Sequence, residues 1–178
     1  MDFKILNDKF LRAINQVLEM DSHLLVHDIN EPCISHRLAM YLANEFPDFD
    51  VDCEYNGDVD AEKGRKYIKL LRSTAEVLGL VEDAGQAGEV VNRCIYPDIV
   101  VHKRGKNGPH NNLLVIEVKK TSNPITGDWD AEKLRRFTSG EYENHFEYMY
   151  GAFVKFTVGG DIGFELNWFS GGERWEGK

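Results

Sequence analysis

Residues 96–120 read YPDIVVHKRGKNGPHNNLLVIEVKK, and the reading of this stretch decides the fold. Two apolar runs, PDIVVH and NLLVIEVKK, flank the polar loop KRGKNGPHN, the pattern of two strands joined as a hairpin. Apolar residues on successive positions suit central strands buried on both faces. Yet Asp98, Glu117 and Lys119 lie in or beside these runs, where a charge is expensive. Side chains alternate along a strand, so Glu117 and Lys119 share a face, with Cα atoms about 6.6 Å apart. A hairpin brings Asp98, at the start of the first run, beside Glu117. Neighbouring carboxylates repel, and burial penalises each of them. A divalent cation removes the conflict, and Mg²⁺ takes oxygen ligands of this kind, with Mn²⁺ as a substitute. A lysine next to such a cation can orient a water or stabilise charge developing on a phosphate. The three residues therefore point to metal-assisted hydrolysis of a phosphodiester. A Glu and a Lys on the solvated face of an edge strand would leave the same short motifs; the apolar setting of both runs favours the site.

The rest of the chain fits one domain over residues 1–178. Hydrophobic residues make up 42% and charged residues 29%, ordinary values for a globular protein. No apolar run approaches the roughly 20 residues of a membrane span, and MDFKILNDKF lacks the apolar core of a secretory signal. Cys33, Cys53 and Cys94 form no CxxC pair, which suits reduced thiols in a cytoplasm. The net charge of −9 argues against coating nucleic acid through bulk positive charge, but not against a local basic groove beside clustered carboxylates.

Helical spacing of Phe3, Leu6, Phe10, Ile14 and Val17 predicts a helix over 3–20, an addition to the core. A second helix is expected over EPCISHRLAMYLANEF, with Pro32 in its first turn and Ile34, Leu38, Tyr41, Leu42 and Phe46 inward. VDCEYN reads as a short strand with Val51, Cys53 and Tyr55 on one side. Residues 60–80 read as a helix stopped near Gly79, its face made basic by Lys63, Arg65, Lys66, Lys69 and Arg72. QAGEVVNRC is open between helix and strand. DWDAEKLRRFTSG reads as a helix, and GAFVKFTV and IGFELNWFS as strands turning at Gly159, Gly160 and Asp161.

In this order the pieces SHRLAMYL, DCEYN, YPDIVVHKRG, NLLVIEVKK and DAEKLRRFT resemble the PD-(D/E)xK nuclease superfamily, in particular a branch of small bacterial proteins. The resemblance runs from about Glu31 to Phe156. It implies an α/β fold with a mixed central β-sheet flanked by helices, the restriction-endonuclease-like core. It also implies a nuclease, with DNA as the first substrate to consider, or alternatively an inactive member that binds nucleic acid or a protein partner. Asp98 and Glu117 would be metal ligands together with the carbonyl of Val118, and Lys119 would be the motif's lysine. Cutting both strands of a duplex would suit a homodimer.

The superfamily often adds an acidic residue from the first core helix. Glu31 continues the inward stripe of its helix by three and seven residues before Ile34 and Leu38, and Glu54 is a rival; favourable placement near the helix's positive end explains Glu31 equally. His36, Arg37, Lys120 and Lys133 are candidates for contacts to substrate, against the plainer reading of surface polarity. Asp130, Arg135 and Arg136 lie on the same helix as Lys133. His102 shares the alternation of Asp98, although a lone strand histidine is usually structural. His23 and His27 have metal-pair spacing without a third ligand. No GxSxG, P-loop or GxGxxG is present, and Tyr148, Tyr150, Phe153 and Phe156 suit a core better than a base-stacking platform.

Overall fold

Asp2 caps the first helix, α1 (Phe3–Met20), by accepting from the N–H groups of Lys4 and Ile5. A short helix, α2 (Ser22–Val26), follows. Asn30 then caps α3 (Glu31–Glu45) through the Cys33 N–H, and Pro32 lies in the first turn, where its missing N–H costs nothing. The computed structural model describes residues 1–58, 60, 64–81, 86 and 88–176.

The strands are β1 (Asp50–Cys53), β2 (Tyr67–Leu71), β3 (Val90–Cys94), β4 (Ile99–His102), β5 (Asn112–Lys120), β6 (Tyr150–Thr157), β7 (Gly163–Ser170) and β8 (Glu173–Trp175). Two further helices are α4 (Arg72–Val77) and α5 (Asp128–Phe137). Six strands form a mixed sheet in the order β1-β4-β5-β6-β7-β8, and β2 pairs with β3 apart from it. Only the β5–β6 pair is parallel, joined across the span that carries α5; the other pairs of the sheet are antiparallel. The fold is therefore mixed α/β, with helices packed against a mixed central sheet.

Alternation along β4 and β5 divides the interior in two. Ile99, Val101, Leu114, Ile116 and Val118 pack with α1 and α3. Val100 and Val115 pack with Leu134 and Phe137 of α5 and with Ile68 and Leu70 of β2. Every residue of β4 is buried, as is β5 from Asn112 to Val118, so both faces of these strands are covered. By the same alternation Glu117 and Lys119 fall on the α5 side.

Two readings of the sequence are corrected. The span 60–80 is not one helix: Tyr67–Leu71 is a strand paired with Val90–Cys94, and only Arg72–Val77 is helical. Ile68 and Leu70 enter the core at a period of two, whereas a helix would have turned them apart. The same pairing makes a strand of Val90–Cys94 at the end of the ambiguous QAGEVVNRC. Gly79 does end the helix, at φ +67°, a backbone conformation that suits glycine. Glu62 and Lys63 lie outside the described residues. In VDCEYN, Val51 and Tyr55 do not share a face, since Val51 packs with the α1–α3 core and Tyr55 with the α5 core. Glu54, at φ +50°, breaks the alternation between them.

No helix among the described residues is long and apolar enough to cross a membrane, and the three cysteines are exposed free thiols. Phe10 is fully buried, with its ring 5.2 Å from that of Trp168. Phe10→Ala should cost about 3–5 kcal/mol of stability through lost burial and the cavity left behind. Urea unfolding checks this; a loss under about 1 kcal/mol would mean that α1 does not anchor this core.

Candidate metal centre

Asp98 sits one residue before β4, and the pairing of Ile99 with Ile116 puts it opposite Glu117. Its Oδ2 accepts the Val118 N–H at 2.7 Å, so the side chain takes the place of a main-chain ladder partner. Burial raises its pKa from the ordinary carboxylate range to about 6, against the opposing effects of that N–H and of Lys133. Glu117 is deeper, at 1% exposure, and burial pushes its carboxyl well above the usual range against the pull of Lys133. Asp98 contributes to the rise at Glu117, so the two carboxyl groups feel one another as the hairpin reading requires.

Helix α5 supplies the counter-charges. Lys133 Nζ lies 2.5 Å from Glu117 Oε2 and 2.9 Å from Asp130 Oδ1. Asp130 Oδ2 in turn lies 2.8 Å from Lys119 Nζ. One helical turn separates Asp130 from Lys133, which lets both face the sheet together. Burial works against the Lys119 and Lys133 ammonium groups, but their carboxylate partners outweigh it and hold both pKa values above the ordinary lysine range. Lys119 therefore remains a cation at any physiological pH. Lys133, expected to face substrate, is turned inward, and Asp130 bridges the two lysines. Asp130 and Lys133 stand at the i, i+3 spacing of one helix face, beside apolar Leu134 and Phe137, a spacing that does not by itself say which way a lysine on that face turns.

A cleft of about 290 Å³ opens beside Asp98, lined also by Glu31, Pro32, Ser35, Cys53 and Glu54. Both rivals for an additional carboxylate thus line it. Glu31, at the N-terminal tip of α3, accepts from the Lys120 N–H at 2.9 Å and from Asn123 Nδ2 at 2.9 Å. It ties the helix to the end of β5. Glu54 is exposed, its N–H bonded to the Asp98 carbonyl at 3.1 Å, and its left-handed backbone is the kind of strain that collects at functional sites.

The remaining sequence candidates lie elsewhere or are already engaged. Lys120 Nζ is held by Asp28 Oδ1 at 2.7 Å and the Ile29 carbonyl at 2.9 Å. Arg37 is paired with Asp21 and Tyr41, while His36 is exposed on α3. His102 is buried against Asp52 at 3.0 Å and the Tyr55 ring, on the α5 side of β4 with Val100, and it is held there as a structural residue. His23 and His27 lie with ring centroids 4.2 Å apart, tilted by 49°, and are exposed. Among the described residues of 63–72, the expected basic helix face does not form. Lys69 pairs with Glu143 and Arg72 with Glu89, while Lys66 is 1% exposed. The Lys66 ammonium donates to the Gly57 carbonyl and sits over the Phe146 ring, and burial lowers its pKa to about 8. Arg136 is engaged with Glu132 and Glu141. Tyr148 and Phe156 are core residues, and Tyr150 and Phe153 pack against the core.

Two features suit a cation. Glu117 Oε1 is buried without a hydrogen-bond partner, an expensive condition that an ion would relieve. A separate cluster that sequence reading missed, Asp58, Asp60 and His145, has ligand atoms within 4.8 Å of one another. It already satisfies itself internally, with Asp58 Oδ2 at 2.9 Å from His145 Nε2 and Asn107 bridging both carboxylates. Its members are about 87 residues apart at the extremes, so no local motif announces them.

No family model matches the chain, and no curated protein matches it. Among solved structures it is similar to one described as "Crystal structure of SSO0001", at 15% identity and a TM-score of 0.34 over 87% of this chain. The chain spans 60% of that protein's length. A likeness of that size carries no functional weight.

The buried carboxyls give the metal-free protein a defined response to pH. A carboxyl whose folded pKa lies above its unfolded one binds its proton more tightly in the folded state. Its contribution to stability is therefore full below about pH 4 and is lost as pH rises through about 6 for Asp98. In chelator, Asp98→Asn keeps an acceptor for the Val118 N–H and should gain stability over wild type as pH rises across that window. Urea midpoints at a series of pH values test this; a constant difference between the two proteins would refute it.

Proposed function

We propose that this protein is a divalent-metal-dependent nuclease built on a restriction-endonuclease-like core, with DNA as its first substrate class. The observation that carries the reading is the buried, unpartnered Glu117 Oε1, on the strand position opposite Asp98. Asp98 and Glu117 would hold the ion, with the Val118 carbonyl beside them. A bound divalent cation would polarise the scissile phosphate and lower the pKa of an attacking water.

The chain's own groups supply the rest. Lys119, kept cationic and anchored by Asp130, would donate to the phosphate oxygens or orient the water, and it is too strongly protonated to act as a base. Asp130 fixes where that ammonium lies. Glu31 holds the α3 tip against β5 and so shapes the cleft through which a phosphate would approach.

A second reading keeps the fold and drops catalysis: a module that binds nucleic acid or a protein. The pairing of Glu117 with Lys133 favours it, because an internal ammonium partly satisfies the carboxylate without any metal.

Purified protein incubated with Mg²⁺ or Mn²⁺ and a panel of plasmid, linear, single-stranded and branched DNA and RNA tests the nuclease. Cleavage should appear only with the metal and fall at least about 100-fold in Lys119→Ala and Asp98→Ala. Circular dichroism should show both variants folded. Full activity in both would refute the assignment, and absence of cleavage across the panel would favour the binding module.

A further inference from the structure

Lys133 engages one side of Glu117 and leaves the other open. Its Nζ lies 2.5 Å from Oε2, whereas Oε1 has no partner although the residue is 1% exposed. Asp98 is divided in the same way, since its Oδ2 accepts the Val118 N–H. Asp130 has nothing to spare, with Oδ1 on Lys133 and Oδ2 on Lys119. Each of the two opposed carboxylates thus commits one oxygen to the protein and keeps one. A pair of metal ions about 3.5–4 Å apart is served best by carboxylates with both oxygens free, and neither of these two opposed carboxylates has that.

We propose that Lys133 acts as a built-in cation that restricts this centre to a single divalent ion, held through the free oxygens of Glu117 and Asp98. The inference rests on the metal-dependent reading above and deepens it. Charge agrees with the geometry. The ammonium groups of Lys119 and Lys133 balance the carboxylates of Glu117 and Asp130 that they touch, which leaves the charge of Asp98 and of its cleft neighbours Glu31 and Glu54 to a bound cation. A second ion would have to displace Lys133 from both of its carboxylates. That would leave a buried ammonium without its carboxylate partners, a severe cost.

Counting Mn²⁺ tests this without reference to cleavage. Calorimetric titration of wild type against Asp98→Ala isolates the ions held at this centre from any held by Asp58, Asp60 and His145. Wild type should bind one ion more than Asp98→Ala. Lys133→Met keeps an unbranched side chain of similar bulk and removes its charge; it should bind one ion more than wild type, with the Mn²⁺–Mn²⁺ spin coupling of a close pair in electron paramagnetic resonance. Two ions lost in Asp98→Ala would overturn the proposal and leave the nuclease reading standing, as would a Lys133→Met count equal to wild type. Equal counts in wild type and Asp98→Ala would overturn both. Should Lys133→Met fail to fold, the wild-type count decides alone.

Discussion

The burial of Glu117 is the constraint on which the rest of the centre depends. A carboxylate on a central strand, covered by α5, has no water to solvate it, and the chain answers with Lys133 at 2.5 Å. That ammonium needs a second acceptor, which Asp130 provides, and Asp130 in turn fixes Lys119. Four charges are thereby ordered by one expensive placement. Replacing such a pair with apolar residues of equal size is often neutral or stabilising, so stability alone gives little reason to retain it. A chemical role gives a better one.

The sheet makes the placement reproducible. Alternation sends Val115 and Glu117 toward α5 while Leu114, Ile116 and Val118 face α1 and α3, so the packing of the apolar set fixes the direction of the polar one. A slip of one residue would exchange the two faces, sending Leu114, Ile116 and Val118 toward α5 and Glu117 into the opposite core. Asp98 adds a second lock, because its carboxylate closes the ladder at Val118 where strand pairing ends.

Much of this was legible in the sequence, for a physical reason. The α1 and α3 stripes, the β4–β5 hairpin and the β6–β7 turn follow local periodicity and turn chemistry, which tertiary packing reinforces. The span 60–80 misled because Lys63, Lys66, Lys69 and Arg72 imitate a charged helix face, while the period-two burial of Ile68 and Leu70 depends on β3, some twenty residues away. The break at Glu54 and the shift after Val101 are single-residue events that no periodicity records. At the centre, the residues of the hairpin were readable because their cost was visible. The inward turn of Lys133 was not, since lysines on helices usually face water, and only the depth of Glu117 reverses that preference.

The Glu117–Lys133 pair also constrains how such a protein can change over generations. Losing the acid first strands an ammonium in the interior, and losing the base first strands an anion, so either single step is penalised more than the double one. Chains that share this interior should therefore exchange positions 117 and 133 jointly, with an apolar couple in place of the ionic one. A lineage retaining only one member of the couple would show that the interior tolerates an orphaned charge there.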